Sequence, residues 1–325
     1  MTPGSPLRVV LAGATGTIGR ATLHALVRHG HAVTCLVRPG RAGALRWPDG
    51  VAVREVPLDD AEVIRARGFG DEPCDAVISC MASRTGEPRD AWAVDHRASL
   101  ALLQAAQRAG ASRFVLLSAI CVQKPRLAFQ HAKLAFEQAL RDSGLTWSIV
   151  RPTAYFKSLS GQVERVRRGR PYVMFGDGTR TACKPIGNAD LGEYLAGCVT
   201  DPARWNRVLV VGGPGPAITP REQGELLFRL AGRPPQFSRV PVWVLDAIIT
   251  VLSGLGAVVP PLEAKAELAR IGRYYATESM LAWDPVAGRY DADATPSFGT
   301  ETLAAHYERL WHRVERDDRG EHAVF

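Results

Sequence analysis

Apolar residues in the first half of the chain form short continuous runs, separated by stretches in which they recur every three to four positions. Continuous runs of this length suit strands buried on both faces of a parallel sheet, and they fall at residues 8–12, 32–37, 51–56, 76–80, 113–118 and 146–151. The helical period predicts helices over 18–29, 60–67, 97–109 and 130–143. Gly30, Gly110 and Gly144 stand where three of these helices should close. Strand and helix thus alternate as in βαβ units.

After Pro152 the alternation breaks. A loop is expected over 175–184, a helix over 190–200, and a strand over 207–211 that returns to the sheet. Beyond Thr219 the pattern is mostly helical, opening on Thr219-Pro220-Arg221-Glu222, which supplies a cap, a first-turn proline and an acid. Residues 240–261 are the most apolar stretch, almost long enough to cross a bilayer, yet Asp246 lies inside and prolines bound it. A helix packed at a substrate cleft is expected there, a helix touching a membrane surface being the alternative. The fold class is therefore α/β: a doubly wound parallel Rossmann sheet (residues 1–155) with a mostly helical substrate-binding part (156–325), strand 207–211 excepted.

Composition narrows the partners. Hydrophobic residues make up 46% and charged residues 22%, which excludes disordered and fibrous classes. Forty Lys+Arg against 33 Asp+Glu leave a charge of +7, favouring anionic partners. The densest patch, Arg165, Arg167, Arg168 and Arg170, lacks the interleaved aromatics of a nucleic-acid platform, so no nucleic acid is expected. Six scattered cysteines without a CxxC pair read as reduced core thiols, and no His/Cys/Asp cluster has metal-site spacing, so no protein-held metal is expected. The first residues pass from a short polar lead straight into a strand, which leads to the expectation of a cytoplasmic setting.

The strongest motif is Gly13-Ala14-Thr15-Gly16-Thr17-Ile18-Gly19, between a strand and a helix, as a dinucleotide fingerprint requires. Gly13 allows the tight turn, Gly16 lets backbone N–H groups approach a pyrophosphate, and Gly19 permits close helix–strand packing; Thr15, Thr17 and Ile18 complete the cradle. The second strand ends in Arg38 rather than an acid, which points to the 2′-phosphate of NADPH, with Arg41 as a second contact. Asp59 is placed near the adenine. Ser79 to Ser83, with Cys80 and Met81, would line the inner ribose, and Pro152 closes the sixth strand beside the cofactor.

The order GATGTIGR, LVRPG, RASLALLQAAQRAGASRFVLLSA, a Lys-bearing helix and RPTAYF resembles the atypical and extended short-chain dehydrogenase/reductases. The segments LLSAICVQKP, FQHAKLAFE, TPREQGELLFRLAGRPP, IGRYYATESMLAWDP and TPSFGTETL look like the divinyl chlorophyllide 8-vinyl-reductase family, over almost the whole chain. Membership implies reduction of the 8-vinyl group of a divinyl chlorophyllide or protochlorophyllide to ethyl by NADPH, in chlorophyll or bacteriochlorophyll synthesis. The direct passage from a short polar lead into the first strand makes a bacterial cytoplasmic enzyme the expectation rather than a plastid precursor, with peripheral contact to a photosynthetic membrane open, and with monomer and homodimer both open.

The superfamily's Tyr-x-x-x-Lys stands here as Phe129-Gln130-His131-Ala132-Lys133. A carbonyl reductase needs that phenol to protonate an alkoxide; a vinyl reductase does not, because charge formed beside the ring spreads into the macrocycle. Lys133 is expected to bond the nicotinamide ribose, an ion pair with Glu137 being the alternative. Ser118 occupies the catalytic serine position, and Tyr155, after the sixth strand, is a proton-donor candidate, as are Cys121, Lys124 and His131. Phe129 and Phe156 are expected against the tetrapyrrole, Tyr274 and Tyr275 stacked on its plane, and Lys157, Lys184 or Arg273 on its propionate. Two other functions stay open: a non-catalytic NADP sensor or accessory subunit, and a reductase or epimerase of another hydrophobic ring.

Overall fold

Runs that are apolar without alternation need cover on both faces, and in the computed structural model, which describes residues 6–256 and 259–313, helices supply it. In chain order the elements are β1 (Arg8–Ala12), α1 (Thr17–Arg28), β2 (Ala32–Val37), β3 (Ala52–Glu55), α2 (Ala61–Val63), β4 (Ala76–Ser79), α3 (Pro88–Ala91), α4 (Ser99–Arg108), β5 (Arg113–Leu117), α5 (Ala128–Arg141) and β6 (Thr146–Pro152). There follow α6 (Phe156–Leu159), α7 (Val163–Arg167), β7 (Tyr172–Phe175), α8 (Asn188–Gly197), β8 (Arg207–Val211), α9 (Pro220–Leu230), β9 (Phe237–Val240), α10 (Trp243–Gly256), α11 (Pro260–Thr277), β10 (Ala282–Asp284), β11 (Arg289–Asp291) and α12 (Leu303–Trp311).

Two compact units share the chain. The first takes residues up to Ser83, Pro88–Pro152 and Asn188–Leu209; the second takes Arg84–Glu87, Thr153–Gly187 and the chain from Val210 onward.

The first unit is built on a sheet in the order β3-β2-β1-β4-β5-β6-β8. Neighbours from β3 to β6 run parallel, with registers such as Leu11↔Cys35 and Leu11↔Ile78. The order reverses between β1 and β4, the switch point beyond whose strand ends such sheets bind ligands. Leu102 and Phe136 from the helices and Val77 and Phe114 from the strands are fully buried in one cluster, and the Phe114 and Phe136 rings meet edge-on at 6.0 Å. The strand over 207–211 returns to the sheet beside β6, as its apolar pattern indicated.

Two helices depart from the expected bounds. The one predicted over 97–109 begins at Pro88 and passes through a π-helical stretch, Trp92–Ala98, before α4; the one predicted over 60–67 passes from α2 into a second π stretch, Ile64–Phe69. The wider i→i+5 turn breaks the 3.6-residue period, so the apolar stripe loses its phase there.

The second unit has a parallel pair, β7–β9, and an antiparallel hairpin, β10–β11, neither of them anticipated. Each strand is three or four residues long, and β7 finds its partner some sixty residues on, which no local pattern announces. Its core gathers Phe156, Tyr172, Leu227, Phe228 and Tyr307. The cap of α9 forms as expected: the Glu222 amide donates to Thr219 Oγ1 at 3.3 Å, and the Thr219 amide to the Glu222 carboxylate at 2.7 Å.

The apolar stretch over 240–261 forms α10 and the start of α11, with residues 257 and 258 outside the described residues. Burial along α10 is not what a cleft helix would show. Leu245 alone is buried, whereas Trp243 is 66%, Val251 59% and Leu255 53% exposed. The antiparallel neighbour α11 covers one side only, so the face carrying Trp243, Ala247, Val251 and Leu255 looks outward. Among the described residues no helix is long and apolar enough to cross a membrane.

Candidate functional site

Gly13 follows β1 with φ of +83°, and a Cβ there would lie 2.5 Å from the Cys80 carbonyl oxygen. Only glycine fits, and the turn is thereby pressed against Cys80 and Met81 at the switch point. A Cβ at Gly19 would sit 2.1 Å from the Gly13 carbonyl, which fixes how closely α1 leaves the strand. Gly16 is different. Its backbone is extended (φ −79°, ψ 164°), its amide bonds the Gly13 carbonyl at 3.0 Å, and a Cβ would have no neighbour nearer than 3.4 Å. No side chain caps α1 and no acid occupies its first turn, while Thr15 and Gly16 are exposed. A helix N-terminus presented this way favours a bound anion, so these residues fit the phosphates of a dinucleotide.

Other expected cofactor residues lie along the same strand ends. Arg38 and Arg41 are exposed after β2, on a loop held from below: the Glu55 carboxylate accepts the Ala42 amide at 2.8 Å. Those backbone bonds, from Ala42 and then Gly40, hold the Glu55 carboxyl below its ordinary range. Asp59 is exposed, and Asp60 beside it caps α2 through the amides of Glu62 and Val63. Ser79 is buried with its hydroxyl unpartnered. Cys80 is half-buried as a residue, but its sulfur lies 3.9 Å from the Thr22 hydroxyl, and burial pushes the thiol up to about 12. Met81 and Pro152 are buried. A cavity of about 220 Å³, lined by Arg8, Ala32 and Arg54 among others, opens at the opposite strand ends and has no part in this cradle.

Helix α5 carries two charged clusters. The Lys133 ammonium donates to Asp95 Oδ1 at 2.8 Å, the Asp95 side chain being fully buried and that of Lys133 12% exposed. The same oxygen accepts the Ser83 amide at 3.3 Å, and Oδ2 has no partner among the described residues. Glu137, expected as the alternative partner of Lys133, is engaged elsewhere. It accepts the Ser118 hydroxyl at 2.6 Å, pairs with Arg151 through Nε and Nη2 of the guanidinium, and meets Arg141 at 3.5 Å. One helical turn separates Lys133 from Glu137, but each finds an opposite charge brought by another segment.

Around them, Gln130 latches the preceding loop: Oε1 accepts the amides of Arg126 (2.7 Å) and Leu127 (3.0 Å), and Nε2 donates to the Cys121 carbonyl at 3.1 Å. Cys121 and Phe129 are buried beside that latch, Lys124 is half-buried, and His131 is exposed. Among the described residues no group of three or more His, Cys, Asp or Glu side chains is placed to hold a metal ion.

The expected pigment residues of the second unit divide by burial. Phe156 is 1% exposed and belongs to the core, against the expectation that it meets a ligand. Tyr274 and Tyr275 stand 5.8 Å apart with planes at 90°, so one flat macrocycle cannot stack on both, and the paired stacking expected of them does not hold. Tyr274 is 4% exposed and Tyr275 37%, which leaves Tyr275 as the reachable ring. Arg273 is paired with Asp246, and the Lys184 ammonium donates to the Thr295 carbonyl at 3.0 Å. Tyr155 and Lys157 are half-buried, Tyr155 bridging Ile186 through the backbone.

Sequence reasoning missed Asp95, Glu55 and the Gln130 latch. No local signal marks Asp95, because Arg89, Asp90, His96 and Arg97 make the same stretch read as an ordinary charged helix.

Comparison with known proteins adds the lineage. Residues 13–202 match a family described as NAD(P)H-binding. The chain is 49% identical over 339 residues to the protein of Oryza sativa subsp. indica named "Divinyl chlorophyllide a 8-vinyl-reductase, chloroplastic", covering 99% of this chain and 83% of that one. It is 48% identical over 338 residues to the Zea mays protein of the same name, covering 99% and 84%. Among solved structures it resembles the Escherichia coli NADPH-dependent quinone oxidoreductase QOR2 complexed with NADPH, with TM-score 0.69 over 93% of this chain and 99% of that one. At 17% identity this last likeness concerns the fold alone.

Proposed function

The chain belongs to the divinyl chlorophyllide a 8-vinyl-reductase family, and on that premise we propose that it draws on NADPH, rather than NADH, to reduce the 8-vinyl group of a divinyl (proto)chlorophyllide to ethyl. One observation carries this: near-half identity runs through both units, and the glycine turn that a nicotinamide dinucleotide requires is intact. NADPH is favoured by Arg38 and Arg41 on the Glu55-held loop after β2, where a 2′-phosphate would meet two cations.

When bound, the nicotinamide supplies the hydride. The chain's part is to hold and to shield. Backbone amides at the head of α1 hold the diphosphate, and Lys133 holds the inner ribose. Phe129, where a carbonyl reductase would have its phenol, offers no proton, and none is needed at an oxygen. We assign the second unit to the pigment, with Tyr275 against its plane, Tyr155 as proton donor, and Lys157 or Arg273 for its carboxylate. The outward face of α10, Trp243, Ile248, Val251 and Leu255, is assigned to peripheral contact with the photosynthetic membrane; sedimentation with anionic vesicles checks it, and a homodimer on that face would instead appear as doubled mass without them.

Anaerobic incubation with divinyl chlorophyllide and either NADPH or NADH tests the function. The expected outcome is a small blue shift of the Soret band and a monovinyl product, faster with NADPH. Retention of NADPH with no pigment turnover would instead mark a non-catalytic NADP sensor.

A further inference from the structure

A buried carboxylate is costly unless every oxygen is satisfied, and the Asp95 carboxylate is not. Its side chain is wholly enclosed, one oxygen carries both the Lys133 ammonium and the Ser83 amide, and the other is left without a donor among the described residues. Stability alone would favour an apolar side chain at this place, so the carboxylate's value lies in what it does to Lys133. Asp95 also sits in the π-helical stretch Trp92–Ala98, whose widened turns pack against α5. Such insertions are frequent at functional sites.

We propose that Asp95 is the positioning residue for Lys133, holding the ammonium by one of its three donors so that the other two are presented to the inner ribose of the cofactor. A lysine has four rotatable carbons in its stem, and unpinned it would sample many positions. Paired to a rigid carboxylate 2.8 Å away, with that carboxylate fixed in turn by the Ser83 amide just past β4, it is confined to one. The inference rests on the ribose role proposed above for Lys133, and concerns binding rather than chemistry.

The test is equilibrium binding of two probes, NADPH and adenosine 2′,5′-bisphosphate, which lacks the nicotinamide ribose. Asp95→Asn is expected to weaken NADPH about tenfold, the scale of one charge-assisted hydrogen bond, and to leave adenosine 2′,5′-bisphosphate unchanged. Lys133→Met should show the same pattern, and the double variant should bind NADPH no worse than Lys133→Met alone, since the two residues act as one. If Asp95→Asn weakens both probes alike, or leaves NADPH affinity intact while Lys133→Met lowers it, the positioning role is overturned. Wild-type NADPH affinity in Lys133→Met would overturn the ribose role and the positioning role together. Should Asp95→Asn not fold, the double variant, which removes both buried charges, is compared with Lys133→Met; a further loss of NADPH affinity overturns the proposal. Pigment turnover enters none of these readouts, so a failure of the vinyl-reductase function would be seen separately.

Discussion

One helical turn apart on α5, two charged side chains have been treated differently. Glu137 is surrounded by donors: the Ser118 hydroxyl, Nε and Nη2 of Arg151 and a more distant Arg141. Among the described residues Lys133 has one acceptor, and that acceptor keeps an oxygen without a partner. A saturated network belongs to the fold, because nothing remains for a ligand to satisfy. An unsaturated one beside the end of β4 is what the proposed ribose role requires, because the Lys133 ammonium keeps donors for a ligand with hydroxyls.

The comparison can be broken at its strongest point first. Glu137→Ala leaves Arg151, 15% exposed at the side chain, without its partner, and is expected to cost about 3–5 kcal/mol in urea denaturation while the folded fraction binds NADPH as before. A comparable loss of NADPH affinity would move Glu137 into the site. Gly16→Asp reverses the pattern. Its extended backbone and open Cβ direction tolerate a side chain, so stability should hold, whereas a carboxylate at the head of α1 should weaken NADPH roughly 100-fold, about 2.7 kcal/mol, by titration. Ser118→Ala removes one bond from the saturated cluster and should cost about 1.5 kcal/mol of stability with little change in cofactor affinity.

His31 supplies the control. It too is buried with an unpartnered nitrogen, Nε2, but it precedes β2 at the end of the sheet away from the turn, its Nδ1 accepting the Leu7 amide at 3.2 Å. Burial first, and His29 second, hold its pKa below 6.5. The folded chain therefore binds fewer protons than the unfolded one below that pH, and stability present above 6.5 declines as pH falls toward the depressed value. His31→Asn should flatten that decline, read as the urea midpoint against pH, and leave NADPH binding untouched. Were cofactor affinity to fall as well, the end of the sheet at which an unpartnered buried atom lies would no longer discriminate site from scaffold.

What the sequence disclosed follows from distance along the chain. Most strands of the sheet were legible because they are contiguous apolar runs, β3 with Arg54 and Glu55 being the exception, and the cradle because Gly13, Gly16 and Gly19 lie within seven residues. Asp95 and Lys133 are 38 residues apart, and Ser118 and Glu137 meet only because β5 and α5 pack together, so neither pairing has a local signature. The short strands β7 and β9 were hidden for the same reason. The perpendicular rings of Tyr274 and Tyr275 and the outward face of α10 depend on packing that composition does not express.

Under the proposed function Phe129 can stand where a phenol would, because hydride delivered to the outer vinyl carbon leaves no charge on oxygen. Reduction of divinyl chlorophyllide with NADPH deuterated at the transferred position, followed by NMR or mass analysis of the product's ethyl group, tests it most directly. Deuterium in the methyl carbon is the expected result; deuterium on the ring-adjacent carbon would contradict it.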